Sequence, residues 1–135
     1  MHVPDTFIDA VNNERAPLSE FAGKAVVALS GIGDPGSFEK TLANLKAGLS
    51  HIWRYPDHHR FTGEELAAIE TTRNGLPVIT TYKDFSRFPE GWARILKGGV
   101  FILSVKIIFR GDGHRILMDV LTRPTKADRQ AKRDS

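Results

Sequence analysis

The chain has 135 residues, of which 41% are hydrophobic and 26% charged, a composition typical of one globular domain with a modest core. The absence of cysteine excludes disulfides and thiolate ligands, and a net charge of +3 does not indicate a nucleic-acid-binding protein. The longest apolar run, residues 100–109, is broken by Ser104 and Lys106 and is too short to span a membrane as a helix. No signal-peptide pattern opens the sequence, so we expect a cytoplasmic protein.

The first 50 residues contain one clear strand and one clear helix. Residues 6–11 and 17–21 could each form a helical turn, although neither has a strong period. Residues 25–29 are apolar with β-branched side chains, which predicts a strand buried on both faces. Asp34 and Pro35 then suit the N-cap and first turn of a helix. Its inner face is predicted to contain Phe38, Leu42 and Leu45, which recur at helical spacing. Gly48 is predicted to end this helix.

The second predicted helix follows a weaker strand at residues 49–55. Thr62 and Glu65 have the spacing of a capping box, so this helix is predicted over residues 62–73. Its inner face is formed by Leu66, Ile69 and, less regularly, Ala67. The remaining predicted elements are a strand at 77–81, a loop or helical turn at 82–88, a short helix at 92–96, a strand at 100–109, a turn at 110–113, and a segment at 115–121 that periodicity leaves open between strand and helix.

Strands that alternate with helices predict βαβ units with parallel pairing. We therefore expect a three-layer, Rossmann-like α/β domain with a short, mainly parallel sheet, whose last strand pairs differently. The predicted organisation is a lead-in segment at 1–22, the α/β domain at 23–122 and a charged, frayed tail at 123–135.

An acid and two imidazoles stand between Pro56 and the second helix. Asp57, His58 and His59 are predicted to lie on a short strand-to-helix loop, where ligands of α/β sheets commonly bind. Imidazole exchanges protons near neutral pH, and a carboxylate beside it tunes that exchange. The alternative is a purely structural loop in which these side chains satisfy nearby backbone N–H groups.

Two further loops also follow predicted parallel strands. The glycine-rich loop at residues 30–35 offers backbone N–H groups to an anion through Gly31, Gly33 and Asp34, although it lacks the full dinucleotide or P-loop pattern. The loop at residues 80–84 adds the Thr81 hydroxyl and the Lys83 cation. For each of these two loops taken alone, a structural turn is the favoured interpretation. Because the carboxyl ends of parallel strands share one edge of a sheet, we expect all three loops to converge.

A metal site is not expected from this sequence. His58 and His59 are adjacent and would point apart, and no His-x-x-x-His pair or cysteine is present to complete a ligand set.

The three loops, in this order, resemble the C-terminal half of the tetraacyldisaccharide 4'-kinase family, the lipid A kinases of Gram-negative bacteria. The resemblance covers roughly residues 21–121. It is carried by three runs: Val27-Ala28-Leu29-Ser30-Gly31-Ile32-Gly33-Asp34-Pro35, Tyr55-Pro56-Asp57-His58-His59, and Thr80-Thr81-Tyr82-Lys83-Asp84. The chain departs from the family at Asp34, where asparagine is usual, and at Tyr82, where glutamate is usual.

The resemblance implies an ATP- and Mg²⁺-dependent phosphorylation of the lipid A disaccharide precursor at the cytoplasmic face of the inner membrane. It also implies that His58, with Asp57 beside it, lies in an interdomain cleft and pairs there with an aspartate of an N-terminal half. That half would carry the P-loop, the magnesium ligands and a peripheral membrane contact. No P-loop motif occurs in these 135 residues, so we expect this chain to be inactive without a P-loop partner.

The alternative is a non-catalytic module that keeps the fold in order to bind a nucleotide, a sugar phosphate or a protein. The change from glutamate to Tyr82 favours this alternative, and the intact Asp57-His58 pair favours the kinase. We expect no nucleic acid partner in either case.

Overall fold

Strands alternate with helices over most of the chain, in a computed structural model that describes residues 2–111 and 114–119. The strands are β1 (His2–Asp9), β2 (Arg15–Ala16), β3 (Ala25–Ser30), β4 (Gly48–Arg54), β5 (Val78–Thr81), β6 (Val100–Gly111) and β7 (His114–Asp119). The helices are α1 (Pro35–Asn44), α2 (Gly63–Thr72), α3 (Tyr82–Phe85) and α4 (Trp92–Ile95).

One sheet contains all of these strands, in the order β2-β1-β6-β5-β3-β4, and β7 pairs with β6. The four strands β4, β3, β5 and β6 are parallel, whereas β1, β2 and β7 pair antiparallel. Parallel neighbours cannot be joined by a tight turn, so helices cross over between them. The predicted Rossmann-like α/β class is confirmed.

The core lies on both faces of β3, as the continuous apolar run predicted. On one face, a cluster joins the strand to α2 through four fully buried side chains: Val27, Leu29, Leu66 and Ile69. On the other face, a second cluster joins it to α1 through Val26, Ala28, Phe38 and Leu42. The sheet therefore has a helical layer on each side, which confirms the three-layer architecture.

The predicted helical turn at residues 6–11 is wrong, because this stretch belongs mostly to β1. Phe7 pairs with Leu103 and Ile8 with Ile102 of β6. Alternate side chains enter opposite clusters, Phe7 the α1 side and Ile8 the α2 side. Pairing with a long strand outweighs a short segment's weak helical preference. The predicted lead-in segment thus contributes two strands to the sheet.

Three local predictions near helix ends also need correction. Residues 17–21 form turns with i+3 hydrogen bonds instead of starting a helix. Gly48 does not end α1, because the chain already leaves the helix at Lys46, which has a left-handed φ of 68°, and Gly48 begins β4. Ala67 is exposed and not on the inner face of α2.

The segment that periodicity left open is a strand, because β7 pairs antiparallel with β6 at residues 114–119. The strand predicted at residues 100–109 runs on to Gly111, through the first part of the predicted turn. Residues 112–113 of that turn, residues 120–121 and the predicted tail at 123–135 lie outside the described residues. No helix within the described part is long and apolar enough to cross a membrane.

Candidate functional site

The three loops meet at the carboxyl edge of the parallel strands, as their positions predicted. A Cβ added at Gly31 would lie 3.1 Å from the carbonyl oxygen of Pro56 and 3.1 Å from Oδ1 of Asp84. A Cβ added at Gly33 would lie 3.4 Å from Oδ2 of Asp57. The glycine loop is therefore in contact with both other loops, and the small size of Gly31 is what permits this approach.

The loop that carries the two imidazoles is a tight turn held by its own acid. The Asp57 carboxylate accepts the backbone N–H of His58 at 3.0 Å. His58 has a left-handed φ of 64°, an uncommon conformation for a residue with a side chain. This backbone turns the His58 side chain out toward the solvent, where 74% of it is exposed. One of the two predicted catalytic residues is therefore accessible to a ligand or to a second domain.

His59 anchors the loop. Its Nε2 lies 2.9 Å from both carboxylate oxygens of Glu65, and its ring stacks on Tyr55 at a centroid distance of 4.7 Å. Glu65 also accepts the Thr62 N–H in the capping box. Burial opposes ionisation of Glu65, but the hydrogen bonds from His59 and Thr62 outweigh it and lower the pKa of the carboxyl. The loop is thus tied to the start of α2.

Asp84 is the centre of the contacts between the glycine loop and α3. Its side chain is fully buried. Oδ1 accepts the Gly31 N–H at 2.9 Å, and Oδ2 accepts the Thr81 hydroxyl at 2.7 Å. Burial raises the pKa of this carboxyl, and the nearby Asp57 charge raises it further, whereas the two hydrogen bonds and the Arg87 charge act in the opposite direction.

Most of the predicted anion-binding groups already have partners inside the chain. The Gly31 N–H and the Thr81 hydroxyl are bound to Asp84, and the Asp34 carboxylate caps α1 through the Ser37 N–H at 3.2 Å. These contacts favour the structural interpretation for those three residues. Gly33 and Lys83 are exposed, so both remain accessible to a ligand.

Four charged residues of this edge were not predicted as site residues. The spacing of Thr81 and Asp84 is that of an N-capping pair, which could have indicated that Asp84 turns back toward its own loop. Arg87 and the bidentate Glu39–Arg54 ion pair connect residues 15 or more apart in sequence, so no local pattern could have revealed them. The Arg54 hydrogen bonds lower the pKa of Glu39.

The described arrangement offers an exposed imidazole and carboxylate beside a glycine loop, and this can serve proton transfer or hydrogen bonding to a ligand hydroxyl. Within the described residues, no group of three histidine, aspartate or glutamate side chains is placed to hold a metal ion.

Comparisons with known proteins agree with the resemblance seen in the three loops. A family model for tetraacyldisaccharide-1-P 4'-kinase (LpxK) matches residues 2–122. The tetraacyldisaccharide 4'-kinase of Elusimicrobium minutum is 43% identical over 111 residues, which are 82% of this chain and 29% of that protein. The corresponding kinase of Afipia carboxidovorans is 35% identical over 121 residues, which are 88% of this chain and 36% of that protein.

Among solved structures, LpxK from Aquifex aeolicus in complex with ATP superposes with a TM-score of 0.52 and 25% sequence identity. The superposition covers 78% of this chain and 29% of that one. The chain thus spans about a third of the length of the relatives that it matches.

Proposed function

The chain belongs to the tetraacyldisaccharide-1-P 4'-kinase family, and we propose that it forms the histidine-bearing side of a kinase cleft that a P-loop half completes. The observation that carries this proposal is the position of His58. Its side chain is exposed, and Asp57, in the same turn, lies against the glycine loop at the ligand-binding edge of the sheet. The Asp57 carboxylate fixes this turn by accepting the His58 N–H at 3.0 Å, which keeps the imidazole at this edge and accessible.

The proposal assigns ATP and Mg²⁺ to the P-loop half, whether that half is part of the same polypeptide or a separate chain. The 135 residues contain no Gly-x-x-x-x-Gly-Lys-Ser/Thr motif to cradle a triphosphate. The Gly31 N–H and Thr81 hydroxyl are engaged by Asp84, so they do not form a substitute cradle. Catalysis of phosphoryl transfer is mostly positioning and charge stabilisation. We therefore expect no kinase activity from this chain alone.

In the completed cleft, His58 would face the hydroxyl of the lipid A disaccharide precursor and an aspartate of the P-loop half, at the inner face of the inner membrane. A positioned imidazole that assists proton transfer contributes on the order of 10²–10⁴-fold in rate. Asp57 would hold the turn by accepting the His58 N–H. His59 would hold the loop on α2 through Glu65.

The test is reconstitution with the P-loop half of a homologous kinase, supplied as a fusion or as a separate chain. Transfer of labelled phosphate from ATP to the tetraacyldisaccharide acceptor is measured for the chain alone and for the reconstituted enzyme. We expect no transfer by the chain alone, and a loss of about 10²–10⁴-fold in the reconstituted enzyme with His58→Ala.

Two histidine variants serve as controls for that loss. His59→Ala removes an anchor and should cost activity only by loosening the loop, so its effect should be smaller. His51→Ala alters an exposed residue of the edge strand β4 and should leave the rate unchanged. Activity that survives His58→Ala but not His59→Ala would reverse the assignment of the two imidazoles.

A non-catalytic binding module is the second candidate, and Tyr82 favours it. This residue replaces the usual glutamate of the family and packs against the core cluster at the start of α3. If no P-loop half restores phosphate transfer, and the chain alone binds ATP or a sugar phosphate in a titration, the module function is the correct one.

A further inference from the structure

The ring of His58 is contacted by a guanidinium from a distant segment. Arg87 Nη2 lies 3.0 Å from His58 Nδ1, although the two residues are 29 positions apart. The Phe61 N–H also donates to the Arg87 carbonyl oxygen at 3.1 Å. This second contact joins the backbones of the two segments. The approach of Arg87 to His58 is therefore supported by the fold and does not depend only on two exposed side-chain ends.

The guanidinium is held more firmly than the imidazole. Arg87 Nη1 lies 4.0 Å from Oδ1 of the fully buried Asp84, and the Arg87 side chain is only 21% exposed, against 74% for His58. Asp84 is itself fixed by the Gly31 N–H and the Thr81 hydroxyl. Arg87 is thus the ordered partner of the pair, and the ring of His58 must adapt to it.

The chemistry of this contact determines where the imidazole carries its proton. A guanidinium has five N–H donors and no acceptor, and it stays protonated in proteins. Nδ1 of His58 must therefore be the acceptor, which leaves the proton of the neutral ring on Nε2. On that side, Oδ2 of Asp57, an acceptor, lies 3.5 Å from Nε2. The groups on both sides of the ring favour the same tautomer.

We propose that Arg87 is a positioning residue that holds His58 in the neutral tautomer with its proton on Nε2. In this state the imidazole presents an N–H donor to the cleft, and its one lone pair is occupied by Arg87. His58 then cannot accept the proton of a substrate hydroxyl unless the Arg87 contact breaks. While the contact is intact, the proton acceptor has to be another group. This consequence for catalysis rests on the proposed function, whereas the tautomer does not.

The tautomer can be measured on the 135-residue chain by long-range ¹H–¹⁵N correlation spectroscopy with labelled histidine. The spectra are recorded at about pH 8.5, where the neutral form of free histidine dominates. The chain has five histidines, and His58→Gln identifies the signals of interest. We expect a pyridine-like Nδ1 and a protonated Nε2 at His58. In Arg87→Met, the tautomer ratio should fall roughly twofold to fivefold, the range for a solvent-exposed charged contact.

Two matched variants separate the Arg87 contact from other causes. Arg60→Met removes an exposed arginine of the same loop and should leave the ratio unchanged. Asp57→Asn removes the carboxylate on the opposite side of the ring and should preserve the Nε2–H form while Arg87 is present. A ratio that responds to Asp57→Asn but not to Arg87→Met would overturn the proposal.

A measurement on the unmodified chain can refute the proposal without any folded Arg87 variant. A His58 that carries its proton mainly on Nδ1 could not accept a hydrogen bond from Arg87 there, and this result would refute the proposal directly. The measurement needs no nucleotide, lipid or P-loop half. The tautomer proposal can therefore be refuted while the kinase proposal stands, and the kinase proposal can be refuted while the tautomer is confirmed.

Discussion

Gly31 occupies the position at which the three loops of the candidate site are closest to one another. Its N–H is bound by Asp84, and the space where a side chain would stand is filled by the Pro56 carbonyl and the Asp84 carboxylate. Gly33, two residues later, has only an ordinary contact distance of 3.4 Å to Asp57. The two glycines of one motif therefore do different things. The first lets the loops pack, and the second leaves room at the surface.

We expect Gly31→Ala to lower the free energy of unfolding by about 1–3 kcal/mol, the usual cost of overpacking a close contact. The added methyl group must move a backbone carbonyl or a buried carboxylate. Gly33→Ala is the matched control and should change stability by no more than about 0.5 kcal/mol. Urea unfolding midpoints of the two variants measure the difference. Equal midpoints would mean that the Gly31 loop does not pack against residues 56 and 84 as described.

Among the secondary-structure elements, the N-caps of the helices determine where the loops of the candidate site end. The Thr62 hydroxyl accepts the Glu65 N–H at 3.1 Å, and the Glu65 carboxylate accepts the Thr62 N–H at 2.9 Å. The same carboxylate binds His59. The capping box that starts α2 is thus also the anchor of the Asp-His-His loop, so the geometry of the helix start and of the site are coupled.

Thr62→Ala should destabilise the chain by about 1 kcal/mol, because one N–H of the first turn of α2 loses its acceptor. Thr71→Ala lies in the same helix, where the threonine hydroxyl only donates back to the Ala67 carbonyl. That control should be neutral or slightly stabilising, because alanine is the better helix former. Thermal or urea unfolding compares them. A cost for Thr71→Ala as large as that for Thr62→Ala would argue against the capping box.

In the molecule as a whole, the antiparallel strand β1 lies between β6 and the short strand β2. Its Phe7 is fully buried and meets the Phe21 ring edge-on at a centroid distance of 4.8 Å. Asp5 of the same strand pairs with Lys106 at 2.8 Å. Residues 6–8 of β1 are therefore part of the domain core.

Phe7→Ala should cost about 3–5 kcal/mol of unfolding free energy, the range for truncating a buried aromatic residue. A loss of this size approaches the whole stability of a typical domain, so the variant should be largely unfolded on mild heating. Val11→Ala, at a 56% exposed position in the turn after β1, is the control and should stay within about 0.5 kcal/mol. Circular dichroism melts of both variants test whether β1 is docked in solution.

Features that depend on neighbouring residues could be predicted from the sequence. Three such predictions are confirmed: the strand at residues 25–29, the helix start at Asp34-Pro35 and the Thr62–Glu65 capping box. Caps, prolines and buried strands are set by side chains only a few positions apart. The convergence of the three loops also followed from the sequence, since parallel strands place their carboxyl ends on one edge. The order of the three motifs was enough to indicate the family.

Features that depend on distant partners arise from tertiary packing and could not be predicted. Residues 6–9 form part of a strand because β6 offers a ladder and two apolar faces, and no local pattern contains that information. The hydrogen bond between Asp84 and Gly31 spans 53 positions of the sequence, and the contact between Arg87 and His58 spans 29. The burial of Asp84 depends on packing that excludes water from its carboxylate. A hydrogen bond between distant segments exists only once packing has brought them within about 3 Å, and so the tautomer of His58 is a property of the fold.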